Sequence, residues 1–423
     1  MRLPVLLALL WIACLAGCAQ APRHSDAGRH PLILVSIDGF RPDYLDRGKT
    51  PTLSALAADG VRAEALKPAF PTLTFPNHYT LVTGLYPDHH GIVNNRMADP
   101  TLGKAFVYKE QATIEDPRWW GGEPLWVSAE KQGLRSATMF WPGSSVAIAG
   151  VRPSLWKPFD GNLAPKRRVA QVLKWIDLPP ARRPQFFTLY FEQVDHEGHE
   201  HGPDSAEVDA ALATVDTALA QLIAGLEQRG LRGQVNLVIV SDHGEAATSV
   251  ERRTYLDDLV PLADVDVANY GILAGIEPRA GKTAEIEGAL LRSHPHMQCW
   301  RKTEVPARLH YGTHPRIPAL LCLAENGGIV TSHDYDQRGG HYSAGEHGYD
   351  NDDPSMRALF IANGPDFRRG VVVPQFDNVD VYPLLAHLLG VEPQHNDGNF
   401  AEVAGMLRDA SRVAAPMPLQ GRL

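Results

Sequence analysis

The chain has 423 residues, 44% hydrophobic and 21% charged, with 40 Lys+Arg against 49 Asp+Glu and a formal net charge of −9. This is ordinary globular composition with length for a large core, as two or three domains or as one α/β unit with insertions. No basic block stands out, which argues against a surface that tracks nucleic-acid phosphates, so no nucleic-acid partner is expected.

In chain order, Arg2 precedes the apolar run "LPVLLALLWIACLAG". The run is too short to span a bilayer and reads as a signal peptide over residues 1–17. "LAGC" (15–18) resembles a bacterial lipobox, which would make Cys18 the lipidated first residue of the exported chain. Plain secretion with cleavage nearby is the alternative. Residues 18–30 then read as a polar tether. Membrane contact is expected through this anchor only, with the protein in the periplasm or cell envelope of a bacterium. Cys14 and Cys18 aside, two cysteines remain, Cys299 and Cys322. In an oxidising compartment they are candidates for a disulfide, two separate buried thiols being the alternative.

"PLILVSID" (31–38) is a continuous apolar run of strand length ending in acid, as in a strand buried on both faces of a parallel sheet. "TPTLSALAADG" (50–60) has a helical pattern closed by glycine. "EPLWVSAEKQG" (123–133) reads as a helix and "SATMF" (136–140) as a strand. "QFFTLYFEQVD" (185–195) is a second buried strand ending in acid. Residues 205–229 hold the clearest helix, with Val208, Leu212, Val215, Leu219, Leu222 and Leu226 in phase and Gly230 at its end. "VNLVIVSDHG" (235–244) and "MRALFIANG" (356–364) are further strands, and "VDVYPLLAHLLG" (379–390) ends in a helix. The alternation implies an α/β fold with a mostly parallel central sheet flanked by helices, a catalytic domain over residues 31–400 and a tail over 401–423. Residues 250–340 carry scattered Pro, Gly and His and few periodic runs. They read as a smaller inserted cap packed over the active face, which in such sheets lies at the C-terminal strand ends.

Three strand ends carry acids: Asp38 in "SIDG", Asp195 in "EQVDHEGH" and Asp242 in "SDHG". His199 follows Asp195 by four residues, His243 follows Asp242 directly, and His347 lies in "GEHGYDND". Three Asp and three His, without thiolate, suit zinc, or manganese in an oxygen-rich site. Six ligands divide between two metals, the usual clamp for phosphoryl transfer. Each residue alone is ordinary, and His196, His201, His89 and His90 read as surface or core histidines. The segment "PTLTFPNHYTLVTG" (71–84) supplies a nucleophile. A threonine hydroxyl needs metal coordination to ionise near neutral pH, and a helix N-terminus favours bound phosphate. Pro76 suits the first helical position and Gly84 the end, so Thr74 sits just before the helix starts, whereas Thr80 and Thr83 fall inside it.

"SIDGFRPDYL", the 71–95 segment, "DPRWWGGEPLW", "FWPGS", "DHEGHEHGP", "VSDHG" and "GEHGYDNDDPSM" together resemble the nucleotide pyrophosphatase/phosphodiesterase family of the alkaline phosphatase superfamily, in its compact bacterial form. The resemblance runs from about residue 31 to about residue 400. It implies an alkaline-phosphatase-like fold and two zinc ions, one held by Asp195, His199 and His347, the other by Asp38, Asp242, His243 and the Thr74 oxygen. Thr74 would form a phospho-threonine intermediate, and Asn95 with the Phe75 backbone N–H would bind an equatorial phosphate oxygen. Phe75 would form one wall of the base site, Phe159 the other, with Trp141 a further candidate. The implied reaction is hydrolysis of nucleotide diesters and pyrophosphates such as ATP, NAD or dinucleotides to nucleoside 5′-monophosphates. The retained segment 100–124 argues for nucleotides over lysolipids. Glu245 departs from the family pattern, where relatives often carry Met. The rival readings are a phosphodiesterase of choline-phosphate or lysolipid diesters and a non-catalytic nucleotide-binding surface lipoprotein.

Overall fold

The computed structural model describes residues 29–410. The signal peptide and the proposed lipidation site Cys18 lie outside the described residues. Eight strands form the central sheet: β1 (Leu32–Ile37), β2 (Val61–Ala63), β3 (Ser136–Met139), β4 (Leu155–Lys157), β5 (Phe186–Phe191), β6 (Asn236–Val240), β7 (Phe360–Asn363) and β8 (Val371–Val373), in the order β8-β2-β7-β6-β1-β5-β3-β4. β1 runs parallel to β5 and β6, β3 to β4 and β5, and β2 to β8, while β7 runs against both its neighbours. The sheet is therefore mixed, with a parallel centre, as the alternating elements imply.

β1, β5 and β6 are buried at every position, which is why they read as unbroken apolar runs. Alternate residues feed two cores. Leu32, Leu34, Val238 and Val240 face α2 (Thr74–Thr83), α3 (Leu125–Lys131) and α7 (Val381–Leu389). Ile33, Val35, Ile37 and Ile239 face α1 (Pro51–Asp59), α4 (Pro165–Ile176) and α6 (Ala206–Gln228). α6 starts where the sequence places it, with the Ser205 hydroxyl accepting the Val208 N–H. α5 (Gln193–His201) lies between β5 and α6.

Three readings change in detail. Asp195 is not at a strand end. β5 stops at Phe191 and α5 begins at Gln193, so Asp195 sits in the first turn of a helix. Thr74 is the first residue of α2, with Leu73 as cap and Pro76 two positions further in. Proline is tolerated there because the first four N–H groups of a helix have no partner within it. The packed fold also continues beyond residue 400, since Val403, Met406 and Leu407 are buried. Residues 411–423 of the tail lie outside the described residues.

The insertion is more regular than its sequence. It carries a four-stranded antiparallel sheet ordered 265–269, 273–278, 320–324, 297–301. Cys299 and Cys322 oppose each other on neighbouring strands and form a disulfide. The insertion is tied to the segment around Asn95. Tyr311 donates to the Val93 carbonyl at 2.9 Å, and buried Arg316 donates to Asp99 at 2.7 Å and to the Gly91 carbonyl at 2.6 Å.

Candidate active site

Because β1, β5 and β6 are parallel, the segments after them emerge at one edge of the sheet, carrying Asp38, Asp195 and Asp242. Asp195 and His199 lie four residues apart on one face of α5, with His199 Nε2 3.4 Å from Asp195 Oδ1. His347, reached from the far side of the insertion, places its Nε2 3.5 Å from the same oxygen. The second set converges on His243 Nε2, with Asp242 Oδ2 at 2.9 Å, Asp38 Oδ1 at 3.4 Å and the Thr74 hydroxyl at 3.3 Å. The two sets touch, the His243 and His347 rings stacking with centroids 3.5 Å apart.

The hydrogen bonds of these imidazoles determine their tautomers. Nδ1 of His199, His243 and His347 lies 2.8–2.9 Å from the carbonyls of Gly345, Gly244 and Thr72 respectively. A carbonyl only accepts, so each Nδ1 carries a proton, and in its neutral form each ring presents the Nε2 lone pair to the cluster. Asp38 Oδ1, Asp195 Oδ1 and Asp242 Oδ2 are buried and accept no hydrogen bond. Ligand atoms bonded tetrahedrally at about 2.0–2.1 Å stand roughly 3.3 Å apart, which matches the spacing of these oxygens and nitrogens. The residues therefore fit divalent cations in both sets. His78 also approaches Asp38 and Asp242, but its Nδ1 donates to the Thr74 carbonyl and its Nε2 meets the Ser36 hydroxyl at 2.8 Å. It has no lone pair left for a cation.

Electrostatics follow from burial and crowding. Burial, then Asp242 and Asp195, push the Asp38 carboxyl well up. Asp242 is as deeply buried, yet His243 and His78 hold it well down. Burial lowers the His199 imidazole, but Asp195, Glu346 and Glu245 outweigh it and raise the ring to about 9. Burial, then the neighbouring His243 and His199, lower His347. Burial, then Asp195, raises Glu245 to about 9. Protein groups alone set these directions. A dication among them inverts the logic, favouring ionised carboxylates and neutral imidazoles.

Phe75 N–H donates to Asn95 Oδ1 at 3.0 Å, which differs from the expectation that this N–H faces a phosphate oxygen. The bond determines which end of the Asn95 amide accepts and leaves its NH2 end as the donor. Thr74, Phe75, Asn95, Phe159 and Trp141 line one cleft of about 830 Å³ with Asp38, Asp195, His199 and His347. Phe159 is 60% exposed and meets Phe140 and Tyr190 edge-on. Trp141 is buried, its indole N–H bonded to the His78 carbonyl at 2.9 Å, so it forms part of the cleft floor. Tyr108, Lys109, Gln111 and Ile114 of the 100–124 segment supply a wall.

Sequence reasoning missed Tyr190, whose hydroxyl donates to Asp38 Oδ2 at 2.6 Å. Its only signal is a polar-tipped residue within an apolar strand, one place before the β5 terminus. His78 was also missed, although it lies one helical turn after Thr74 and faces the same cluster.

An α/β sheet with two abutting Asp/His sets that could hold metal ions, and a threonine hydroxyl at a helix start beside His243, defines an alkaline-phosphatase-like fold. The sequence profile described as "Type I phosphodiesterase / nucleotide pyrophosphatase" matches residues 32–350. A bovine ectonucleotide pyrophosphatase/phosphodiesterase family member 3 is 40% identical over 416 residues, covering 94% of this chain and 46% of its own length. A Schizosaccharomyces pombe protein described as an uncharacterized pyrophosphatase/phosphodiesterase is 39% identical, covering 87% of this chain and 79% of its own. The solved murine ectonucleotide pyrophosphatase/phosphodiesterase 5, an inactive threonine-to-alanine variant in complex with AMP, superposes with a TM-score of 0.85 at 33% identity, covering 89% of this chain and 100% of that one. The chain belongs to the nucleotide pyrophosphatase/phosphodiesterase family. It spans about half the length of the bovine relative.

Proposed function

We propose that this protein hydrolyses phosphodiester and pyrophosphate bonds of nucleotides such as ATP, NAD and dinucleotides, releasing nucleoside 5′-monophosphates, with two zinc ions as cofactors. The observation that carries the reading is the convergence of the Thr74 hydroxyl, Asp38 and Asp242 on His243 Nε2, against the Asp195–His199–His347 set. Zinc, when bound, supplies Lewis acidity at the phosphoryl oxygens and lowers the proton affinity of the Thr74 hydroxyl.

Thr74 Oγ1 forms the bond to phosphorus as the bond to the leaving-group oxygen breaks, giving a phospho-threonine. Water then attacks that phosphorus, and Thr74 Oγ1 leaves with the 5′-monophosphate released. The Asn95 NH2 group donates to a non-bridging oxygen whose charge grows in both transition states. Tyr190 holds Asp38 through its hydrogen bond to Oδ2, and His78 Nδ1 lies 3.2 Å from Asp242 Oδ2, where its ring favours the ionised carboxylate. Phe75 and Phe159 bracket the base, and the wall from the 100–124 segment favours nucleotides over lysolipids. The AMP held by the murine relative, inactive without a threonine, supports both the substrate class and the nucleophile. Export to a bacterial periplasm with a lipid anchor at Cys18 belongs to the same proposal.

The test is Thr74→Ala. It should fold and bind zinc as the wild type does, yet lose turnover of a nucleotide diester by about 10⁴-fold or more, on the scale of losing a nucleophile. Turnover within tenfold of wild type would remove Thr74 from the mechanism.

A further inference from the structure

The cleft occupies one edge of the central sheet, and the chain enters the fold at the other. His30 pairs with Asp366 at 2.9 Å, and the Pro31 carbonyl accepts the Asn236 N–H at 2.8 Å, where β6 starts. Hydrogen bonds run along this entry edge. Leu32 N–H donates to the Gln185 carbonyl and Gln185 N–H to the Arg135 carbonyl, while Asp366 N–H donates to Asn236 Oδ1 and Arg408 N–H to the Asp366 carbonyl. Arginines gather on it: Arg135 before β3, Arg182 and Arg183 before β5, Arg229 and Arg232 before β6, Arg368 and Arg369 after β7, and Arg408 beside them. Arg229, Arg232 and Arg369 are paired with Asp177, Glu227 and Asp59. Arg135, Arg182, Arg183, Arg368 and Arg408 hold no ion pair among the described residues, and all but the half-buried Arg183 are exposed. Positive charge is thus left uncompensated at this edge, although the chain carries a formal net charge of −9.

The opposite edge has the opposite sign. Glu192, Glu200 and Glu346 line the cleft, which opens roughly 20 Å away, the length of the six-residue β1. We propose that the arginine edge rests on the anionic phospholipid headgroups of the membrane that carries the Cys18 anchor, so that the cleft faces away from that membrane, toward soluble nucleotides. The proposal rests on the lipid-anchor reading of Cys18. The ten residues 19–28 between Cys18 and the edge can span at most roughly 35 Å. That reach exceeds the distance between the two edges, so the anchor by itself sets no orientation. Each basic residue near an anionic leaflet strengthens contact about fivefold, and only within about 8 Å, one Debye length. Five arginines on one edge and carboxylates at the other therefore select which edge meets the bilayer.

The test uses the full chain, expressed in a bacterium with its own signal peptide, purified from the envelope and reconstituted on vesicles. One set of vesicles is phosphatidylcholine alone, and the other contains about one third phosphatidylglycerol. Intact mass first establishes whether Cys18 is acylated. Phenylglyoxal then modifies accessible arginines, and mass spectrometry reads the rate at each. Arg135, Arg182, Arg368 and Arg408 should react about fivefold or more slowly on the anionic vesicles than on the neutral ones, and the difference should vanish in about 1 M salt. Arg96 and Arg338 are exposed, next to Asn95 and near His341 of the cleft, and should react equally on both. Equal rates on the two vesicles at the arginine edge would overturn the docking surface and leave the anchor standing. Protection of Arg96 and Arg338, with or without the others, would mean that the cleft faces the bilayer and would overturn the orientation. A chain without acylation at Cys18 would overturn the anchor reading and this proposal with it.

Discussion

Tyr190→Phe isolates one hydrogen bond at the centre of the site. The phenol donates to Asp38 Oδ2 at 2.6 Å, while Asp38 Oδ1 accepts no hydrogen bond and the residue is 1% exposed. Phenylalanine keeps the ring and its edge contacts with His78 and Phe159, so packing is conserved and only the donor is lost. A hydrogen bond to a buried charge contributes about 1.5–3 kcal/mol, which is roughly 10- to 100-fold in any equilibrium that needs Asp38 ionised and oriented. Cation binding is such an equilibrium. The zinc concentration giving half-maximal diesterase activity should therefore rise by about 10-fold or more, while the zinc-stripped protein melts within about 2 °C of wild type. The assay is a zinc-buffered activity titration alongside calorimetry. An unchanged zinc midpoint would refute the argument that Tyr190 orders Asp38, and with it the placement of Asp38 as a ligand.

Phe159→Ala should raise KM for nucleotide diesters about 5- to 10-fold with kcat nearly unchanged, since a 60% exposed ring supplies the low end of the 1–3 kcal/mol that aromatic–base stacking provides; steady-state kinetics on a nucleotide and a non-nucleotide diester would show whether the loss follows the base. Replacing Cys299 and Cys322 by alanine opens a cross-link with a sequence separation of 23, and the loop-entropy relation gives a loss of about 3 kcal/mol. That loss should appear as a lower urea midpoint and faster proteolysis within the insertion, and an unchanged midpoint would mean that the insertion is held by its packing against the 91–99 segment.

How much of this was legible depended on how locally each feature is encoded. β1 and β6 announce themselves because burial on both faces demands unbroken apolar runs, and α6 because its buried stripe and Ser205 cap are contained in one segment. Asp195 stands out in the sequence as a candidate ligand, but at a strand end rather than in a helix, since nothing in "YFEQVDHEGH" separates the last strand residue from the first helical one. The insertion sheet was unreadable as such. Its strands are short, and their pairing is specified by partners as distant as Cys299 and Cys322. Tyr190 and His78 were missed for the opposite reason to Thr74: each resembles a core residue in sequence, and only the fold brings its polar atom to Asp38 or Asp242. Glu245 was visible as an oddity, but its slot is made by Gly198 and Gly345 on other segments.

Cation-dependent diester hydrolysis, the proposed activity, can be measured by comparing hydrolysis of a nucleoside 5′-monophosphate p-nitrophenyl ester with that of p-nitrophenyl phosphate, before chelation, after chelation and after adding zinc. The expected result is a strong preference for the diester, abolished by chelator and restored by zinc. Preference for the monoester, or diester hydrolysis that survives removal of all metal, would contradict it.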